Sequence, residues 1–541
     1  MWSLMRALIS YAVAVSLALP APLAAQTAPT AAAKPADPTP IERIIDEGGN
    51  RSGVMDIARY LTDRIGSRLT NSPGMRAAEA WTQTQFTGWG LTNVHKEGFE
   101  FGRGWWMERS SVRMISPRPI QLTAIPITWT PATNGTITAP VIVAPIREIG
   151  DFETWRGKLK GKVVLLTRPN DGNEPREAPF KRWTDTELAG FNTYRKPAYN
   201  PRSIEREIAR LGWPKQLSDF LKSEGAVAYA TMSPRDGKLV HGNGYQFGVG
   251  DTVALPGVEI AAEDYRRLAR LAETGDAPVL EINSDVRFDD SDTKAYNVIA
   301  DIKGTSRSGE YVMAGAHLDS WAAGDGAADN AAGVAMVMEA ARILSKMPKP
   351  KRTIRFALWN GEEQGLLGSI DYVERHLATR PEPATPQTGL ARYTGWNYRW
   401  PITALPGHAK LAAYFNLDNG SGRIRGINVQ GNEAVVPIFR EWFAPFLAAD
   451  PSMSAMVGLR GVGGTDHLFF DAVGIPAFQF IQDPLDYGSR LHHTSVDTFD
   501  HLKANDLRQG ATILAAFLWN AANSDKPLPR MPFPTEPKDP S

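Results

Sequence analysis

The chain has no cysteine and only nine histidines in 541 residues. No disulfide, no cysteine-based zinc site and no thiol nucleophile can be built from it. Any metal must be held by His, Asp or Glu. It also lacks an excess of charge, because Lys plus Arg and Asp plus Glu both total 59. That balance argues against a nucleic-acid binder, which carries a basic footprint. Beyond its first residues it has no apolar run of the roughly 20 residues that a membrane helix needs. What is present is an ordinary globular composition, 43% apolar and 22% charged, with length enough for at least two domains.

The ends read differently from the middle. Met1 to Ala25 is expected to be a signal peptide: Arg6 precedes the apolar stretch Ala7–Leu19, and Leu23-Ala24-Ala25 is a small-residue cleavage site. The apolar stretch is too short to span a bilayer, and no cysteine follows it for a lipid anchor. Export to the periplasm or medium follows, with no membrane contact after cleavage. Residues 26–40 are rich in Ala, Pro and Thr and read as a flexible leader; 526–541 read as a proline-rich tail.

Between the ends, Ile41 to Gly90 looks helical, with Val54, Ile57, Ala58, Leu61 and Ile65 on one face. Asn93 to Ile127 looks strand-like, and from about Thr128 short strands and turns take over, including Val141–Val143, Lys162–Leu166 and Ala226–Tyr229. Arg168 to Pro201 is polar and proline-rich and reads as a surface loop. Regular alternation resumes near Asp292, with strands at Val298–Ala300, Tyr311–Ala314, Thr353–Leu358, Leu411–Leu417 and Ile475–Ile481 and a helix over Gly333–Lys346. Alternating strands and helices predict a mixed, mainly parallel sheet covered by helices, an α/β fold. The opening helical segment is too small to bury a core alone. The expected parse is therefore one α/β domain, 41–127 plus 286–525, interrupted by a β-rich insertion over 128–285.

In an open α/β sheet the chemistry collects beyond the carboxyl ends of the strands. Four predicted strand ends lead into His317-Leu318-Asp319 with Asp329 beyond it, Glu362-Glu363, Asp418, and His492-His493. These donors suit two zinc ions, and a carboxylate can bridge such a pair through its two oxygens. The simplest wiring has Asp329 as bridge, His317 and Asp418 on one ion, and Glu363 and His493 on the other, with His492 an alternative ligand. Glu362 is then free to act as general base on a water activated by the two metals, and Asp319 to orient His317. Singly, each has a bland alternative: Asp329 a helix cap, Asp418 a turn residue, the Glu pair and the His pair solvated surface. Asp466 and His467, in Gly463–His467 ahead of Phe469-Phe470, are candidates for lining a substrate cleft, with a helix cap at Thr465 or Asp466 as the alternative.

These motifs resemble the co-catalytic zinc exopeptidases, the family of secreted bacterial leucine aminopeptidases and plasma glutamate carboxypeptidases. The matching pieces are His317-Leu318-Asp319, Gly326–Asn330, Glu362–Ser369, Asn416-Leu417-Asp418 and His493–Thr498. The resemblance implies the same five ligands, Glu362 as base and Asp319 as orienter. It prefers His493, directly before Thr494, over His492. It also implies a cis peptide after Asp329 and short-peptide substrates. The insertion resembles a protease-associated domain through Asp151–Trp155, Leu159–Leu165 and Ser223–Ala228. Two other readings share this scaffold, a glutaminyl-cyclase-like aminoacyl transferase and a non-catalytic receptor-like ectodomain. Side-chain preference stays open, as does the oligomeric state, a homodimer included.

Overall fold

The computed structural model describes residues 37–172, 178–194, 202–251, 253–275, 277–385, 387 and 389–535. The expected signal peptide and nearly all of the leader lie outside these residues, as do 536–541 of the tail.

Eight strands form a central sheet: β1 (Thr92–Glu100), β2 (Lys294–Ile302), β3 (Arg307–His317), β4 (Arg352–Trp359), β5 (Leu411–Asn416), β6 (Ile424–Asn428), β7 (Met456–Gly458) and β8 (Ala477–Gln482). Their spatial order is β1-β2-β4-β3-β5-β8-β6-β7. The middle four, β4, β3, β5 and β8, run parallel, while β1, β2 and β6 pair antiparallel with their neighbours toward the sheet centre. The sheet is thus mixed with a parallel centre.

Strand periodicity explains why both faces are covered. On β3, Val312, Ala314 and Ala316 pack into one core and Met313 into the other. On β4, Ile354, Phe356 and Leu358 alternate in the same way with Ala357 and Trp359. The first face is covered by the helices Pro40–Asn50, Ala332–Ser345 and Ala504–Asn523, which contribute Ile44, Val337, Leu514 and Phe517. The second is covered by the helix Leu367–His376 through Ile370, Tyr372 and Val373.

A second eight-stranded sheet is built from the chain between β1 and β2. Its long antiparallel pair, Gly104–Ser116 with Val279–Asp289, lies at the entry and exit of that segment. Three short parallel strands, Val163–Leu165, Ala228–Met232 and Gly257–Ile260, lie deeper in it. The helix Ala262–Glu273 covers one face of this sheet with Tyr265 and Leu268. The helix Arg202–Ser223 lies on the other, through Phe220 and Leu221.

Candidate metal centre

The parallel strands end at the same level. In the β3–β4 ladder His317 is opposite Trp359, and in the β3–β5 ladder Gly315 is opposite Asn416. His317 and Asp418 therefore emerge abreast, with the Glu362-Glu363 turn on the other side of β3. The loop after β8 brings in His493, whose backbone is in the left-handed region with φ of 64°.

Asp329 lies between the two histidines. His317 Nε2 is 3.3 Å from its Oδ1, and His493 Nε2 is 3.3 Å from its Oδ2. His317 Nε2 is also 3.3 Å from Asp418 Oδ1, and His493 Nε2 is 2.9 Å from Glu363 Oε2. One carboxylate thus faces two imidazoles with different oxygens, and each imidazole has a second carboxylate. His492 stacks on His493 at 3.6 Å between ring centres, but its Nε2 is 3.9 Å from Asp329 Oδ2.

Local structure frees Asp329 for this position. The helix that follows is capped by its neighbour, since Asn330 Oδ1 accepts the Gly333 N–H at 3.0 Å while Asn330 Nδ2 donates to the Leu417 carbonyl at 2.9 Å. The peptide bond between Asp329 and Asn330 is cis, where the family resemblance puts one. Asp497 holds the Asp329 backbone: its carboxylate accepts the Ala328 N–H at 2.7 Å and the Asp329 N–H at 3.0 Å.

Asp319 acts with two parts of the residue. Its backbone carbonyl accepts from His317 Nδ1 at 3.0 Å, and its carboxylate lies 3.7 Å from the same nitrogen. That carboxylate accepts the Glu362 N–H at 3.3 Å, the Glu363 N–H at 3.2 Å and the Thr70 hydroxyl at 3.2 Å. Asp319 therefore fixes the Glu-Glu turn as well as the His317 ring.

The electrostatics are those of crowded buried acids. Burial raises the Glu362 carboxyl well above the usual carboxylate range, and Asp418, Asp466 and Glu363 add to it. Burial raises Glu363 in the same direction, with Asp329 adding. Burial opposes charge on His317, but Asp418 and Glu362 outweigh it and the ring is pushed well above the ordinary value. Burial disfavours the charged form of His493 and lowers it. A cluster of this kind is costly without a cation.

The residues fit a divalent cation. Among the described residues, neither Asp329 Oδ2 nor Glu363 Oε1 accepts a hydrogen bond although both are buried. Asp329, Glu363 and His493 line a void of about 10 Å³ together with Trp321 and Asp497, room for about one water-sized sphere. The donor atoms of His317, Asp329 and Asp418 lie within 4.8 Å of one another. Imidazole nitrogen with carboxylate oxygen is a zinc donor set.

A cleft of about 460 Å³ opens over these groups, lined by Glu362, Glu363, Asp418 and His493. It is also lined by Glu207, Arg210 and Tyr245, which come from the second-sheet segment and were not singled out from the sequence. Asp466 and His467 are not among its lining residues. Both are fully buried, and His467 Nε2 donates to the Val462 carbonyl at 3.1 Å. Neither reaches the cleft surface, because the turn Gly463–Thr465 covers them and forms the wall in their place.

Residues 297–518 match the family model for peptidase family M28. Mouse carboxypeptidase Q is 24% identical over 472 residues, which cover 87% of this chain and 86% of that protein. A probable lipoprotein aminopeptidase of Mycobacterium tuberculosis is 38% identical over 159 residues, 29% of this chain and 30% of that one. The solved structure of an M28 peptidase precursor from Shewanella amazonensis superposes with a TM-score of 0.63 at 24% identity, covering 92% of this chain and 98% of the other. A zinc aminopeptidase from Bacillus subtilis gives 0.55 at 17% identity, covering 87% and 95%. The family match falls on the segment that carries all seven predicted catalytic and ligand residues. Residues 297–518 thus match peptidase family M28, the chain is similar over most of its length to a carboxypeptidase of that kind, and it is a zinc-dependent peptide hydrolase.

Proposed function

We propose that the chain is an exported exopeptidase of short peptides that holds two zinc ions per chain, with Asp329 as the bridging ligand. His317 and Asp418 complete one position, and Glu363 and His493 the other. The observation that carries this reading is the Asp329 carboxylate, which turns one oxygen to each histidine. His493 is preferred over His492 because it is nearer Asp329 and is paired with Glu363. The domain reading is a protease-associated module inserted between β1 and β2, wider than the expected 128–285 because Gly104–Ser116 pairs with Val279–Asp289 in the second sheet, with the flanking segments forming the peptidase domain. Cleavage of a signal peptide over 1–25 would release the chain to the periplasm or medium.

Zinc held here would polarise the scissile carbonyl and make the attacking water more acidic. The rest of the chemistry belongs to the protein. Glu362 takes a proton from that water and hands it to the leaving amine nitrogen, acting first as base and then as acid. Its backbone N–H is held by Asp319, which fixes the carboxylate over the cleft. Asp319 also keeps the His317 ring oriented with Nε2 toward the ligand cluster.

The test is a panel of free dipeptides, N-blocked peptides and C-blocked peptides, assayed before and after chelation. Chelator-sensitive hydrolysis of unblocked short peptides is expected. Cleavage of C-blocked but not N-blocked substrates identifies an aminopeptidase, and cleavage of free dipeptides alone a dipeptidase. Hydrolysis that survives complete zinc removal, or no hydrolysis by the zinc-loaded chain, would overturn the reading.

A further inference from the structure

Arg68 is fully buried and, among the described residues, has no carboxylate hydrogen-bond partner. Asp497, Asp319, Asp325 and Asp329 act on it only through space, so its N–H groups must be satisfied in some other way. Here each of the three guanidinium nitrogens donates to backbone carbonyl oxygen. Nε donates to Leu318 at 2.8 Å. Nη1 donates to Asp325 at 2.7 Å, Gly66 at 3.0 Å and, at the limit of 3.4 Å, Leu61. Nη2 donates to Gly326 at 2.9 Å. The backbone of Arg68 is pinned as well: its N–H donates to Ser320 Oγ at 3.0 Å, and its carbonyl accepts the Ser320 N–H at 3.2 Å.

Three of the carbonyls, those of Leu318, Asp325 and Gly326, lie at the two ends of the loop between His317 and Asp329. This loop has no strand or helix of its own from Leu318 to Gly326. Its shape decides where Asp329 stands relative to His317. One planar fork grips both ends of it. Two residues on, Thr70 Oγ1 lies 3.2 Å from Asp319 Oδ2 and 2.6 Å from the Gln364 side-chain amide, so the same segment touches the Glu362-Glu363 turn.

We infer that Arg68 is a positioning residue that preorganises the His317–Asp329 ligand loop before any metal arrives. It does not line the cleft, so it acts through the loop and not on substrate. A lysine cannot replace it, because a single ammonium cannot reach carbonyls spread around a planar fork. The inference rests on the proposed metal ligands. If the wild-type chain bound no zinc at all, that assignment would fail before Arg68 came into question.

The experiment compares wild type with Arg68→Lys as full-length chains. Zinc affinity is read by competition with a chelator, and hydrogen exchange is read over 318–329 in the zinc-stripped protein. Loss of a group that orients metal ligands costs about 10–100-fold in metal affinity, and a fall in that range is expected. Faster exchange over 318–329 should accompany it, with the helix Ala504–Asn523 unchanged. With zinc in excess, kcat should fall and KM stay within about twofold. Zinc affinity within twofold of wild type, or faster exchange spread evenly over the whole chain, would overturn the inference. If Arg68→Lys does not fold, Ser320→Ala, which removes one acceptor of the same lock, is read by the same affinity and exchange measurements. A loss in both supports the inference, and no change in either overturns it.

Discussion

Gly315 lies on β3 two residues before His317, buried and away from the cleft. A Cβ added there would stand 2.6 Å from Trp359 Nε1, 2.6 Å from Tyr414 Oη and 3.1 Å from the Ala357 carbonyl. Ordinary contacts with carbon need about 3.5 Å, so two buried groups must each retreat by about 0.9 Å. They cannot do so singly, because Trp359 Nε1 donates to Tyr414 Oη at 2.7 Å and Tyr414 Oη donates to Asn416 Oδ1 at 2.5 Å. Asn416 Nδ2 in turn donates to Gln479 Oε1 at 2.9 Å, and Gln479 Nε2 to the Asp418 carbonyl at 2.6 Å. Overpacking of this kind costs about 1–3 kcal/mol, with about 1 kcal/mol more for each hydrogen bond broken. Ala in place of Gly in a strand gives back about 0.5–1 kcal/mol. Gly315→Ala should therefore lose about 2–4 kcal/mol, measured by urea unfolding of the zinc-stripped chain. Because the strain runs to Asp418, kcat/KM should fall by about 10²-fold, the usual result of a 1 Å misplacement in a catalytic constellation. Tyr414→Phe removes the oxygen that the new methyl meets. The double variant should be more stable than the sum of the two single losses predicts, by more than about 0.5 kcal/mol. Strict additivity, or a Gly315→Ala variant with wild-type stability and activity, would refute the argument.

Further outcomes follow from the same geometry. Glu362→Gln should retain its zinc and lose about 10²–10⁴-fold in kcat; near-normal peptidase activity with metal bound would remove Glu362 as the base. Asp497→Ala leaves the Ala328 and Asp329 N–H groups without their acceptor. At about 1–3 kcal/mol for each buried donor, the zinc-stripped protein should unfold at clearly lower urea, and an unchanged midpoint would count against the clamp. Burial pushes the Asp471 carboxyl up to about 7 from the ordinary 3.8. The folded chain then keeps a proton that the unfolded chain has released, so stability falls as pH rises from about 4 through about 7. Asp471→Asn should flatten that part of the stability–pH curve, stabilising the protein at pH 8 and not at pH 4; parallel curves would show that Asp471 does not titrate in this way.

The groups legible in the sequence share one property. His317, Glu362-Glu363 and Asp418 sit at or just past the ends of β3, β4 and β5, and Asp329 and His493 lie in the loops that leave β3 and β8, so following the chain from a carboxyl strand end locates them. Groups that act across the fold give no such signal. Arg68 meets Leu318 from 250 positions away, and a Gly-Ser-Arg-Leu-Thr stretch after a helix shows nothing of it. The helix Arg202–Ser223 was missed for a different reason. It contains Pro214, and its apolar residues fall into two sets on opposite faces, Ile204, Ile208 and Leu211 before the proline and Leu217, Phe220 and Leu221 after it, so no single apolar stripe marks it. Yet its Glu207 and Arg210 stand in the cleft wall. The stretch Lys181–Trp183, read as surface loop, docks at the carboxyl end of β8: Arg182 Nη1 donates to Asp483 Oδ2 at 2.9 Å and Trp183 Nε1 to the Gln482 carbonyl at 2.7 Å.

Asp466 and His467 show the converse error. A Gly-Gly-Thr-Asp-His turn between two ligand segments has the composition of a binding loop, and composition cannot tell an exposed polar group from a buried one. Here Thr465 Oγ1 accepts from Asn416 Nδ2 at 2.8 Å, which draws the turn down onto the β5 end and takes Asp466 inside. Burial then raises the Asp466 carboxyl to about 8 and lowers His467 to about 4, so both favour their neutral forms at neutral pH. Beneath a centre already crowded with Asp329, Glu362, Glu363 and Asp418, a neutral Asp466 is the arrangement electrostatics favours. The same polar network that holds Asp418 from below thus keeps further negative charge out of the ligand cluster.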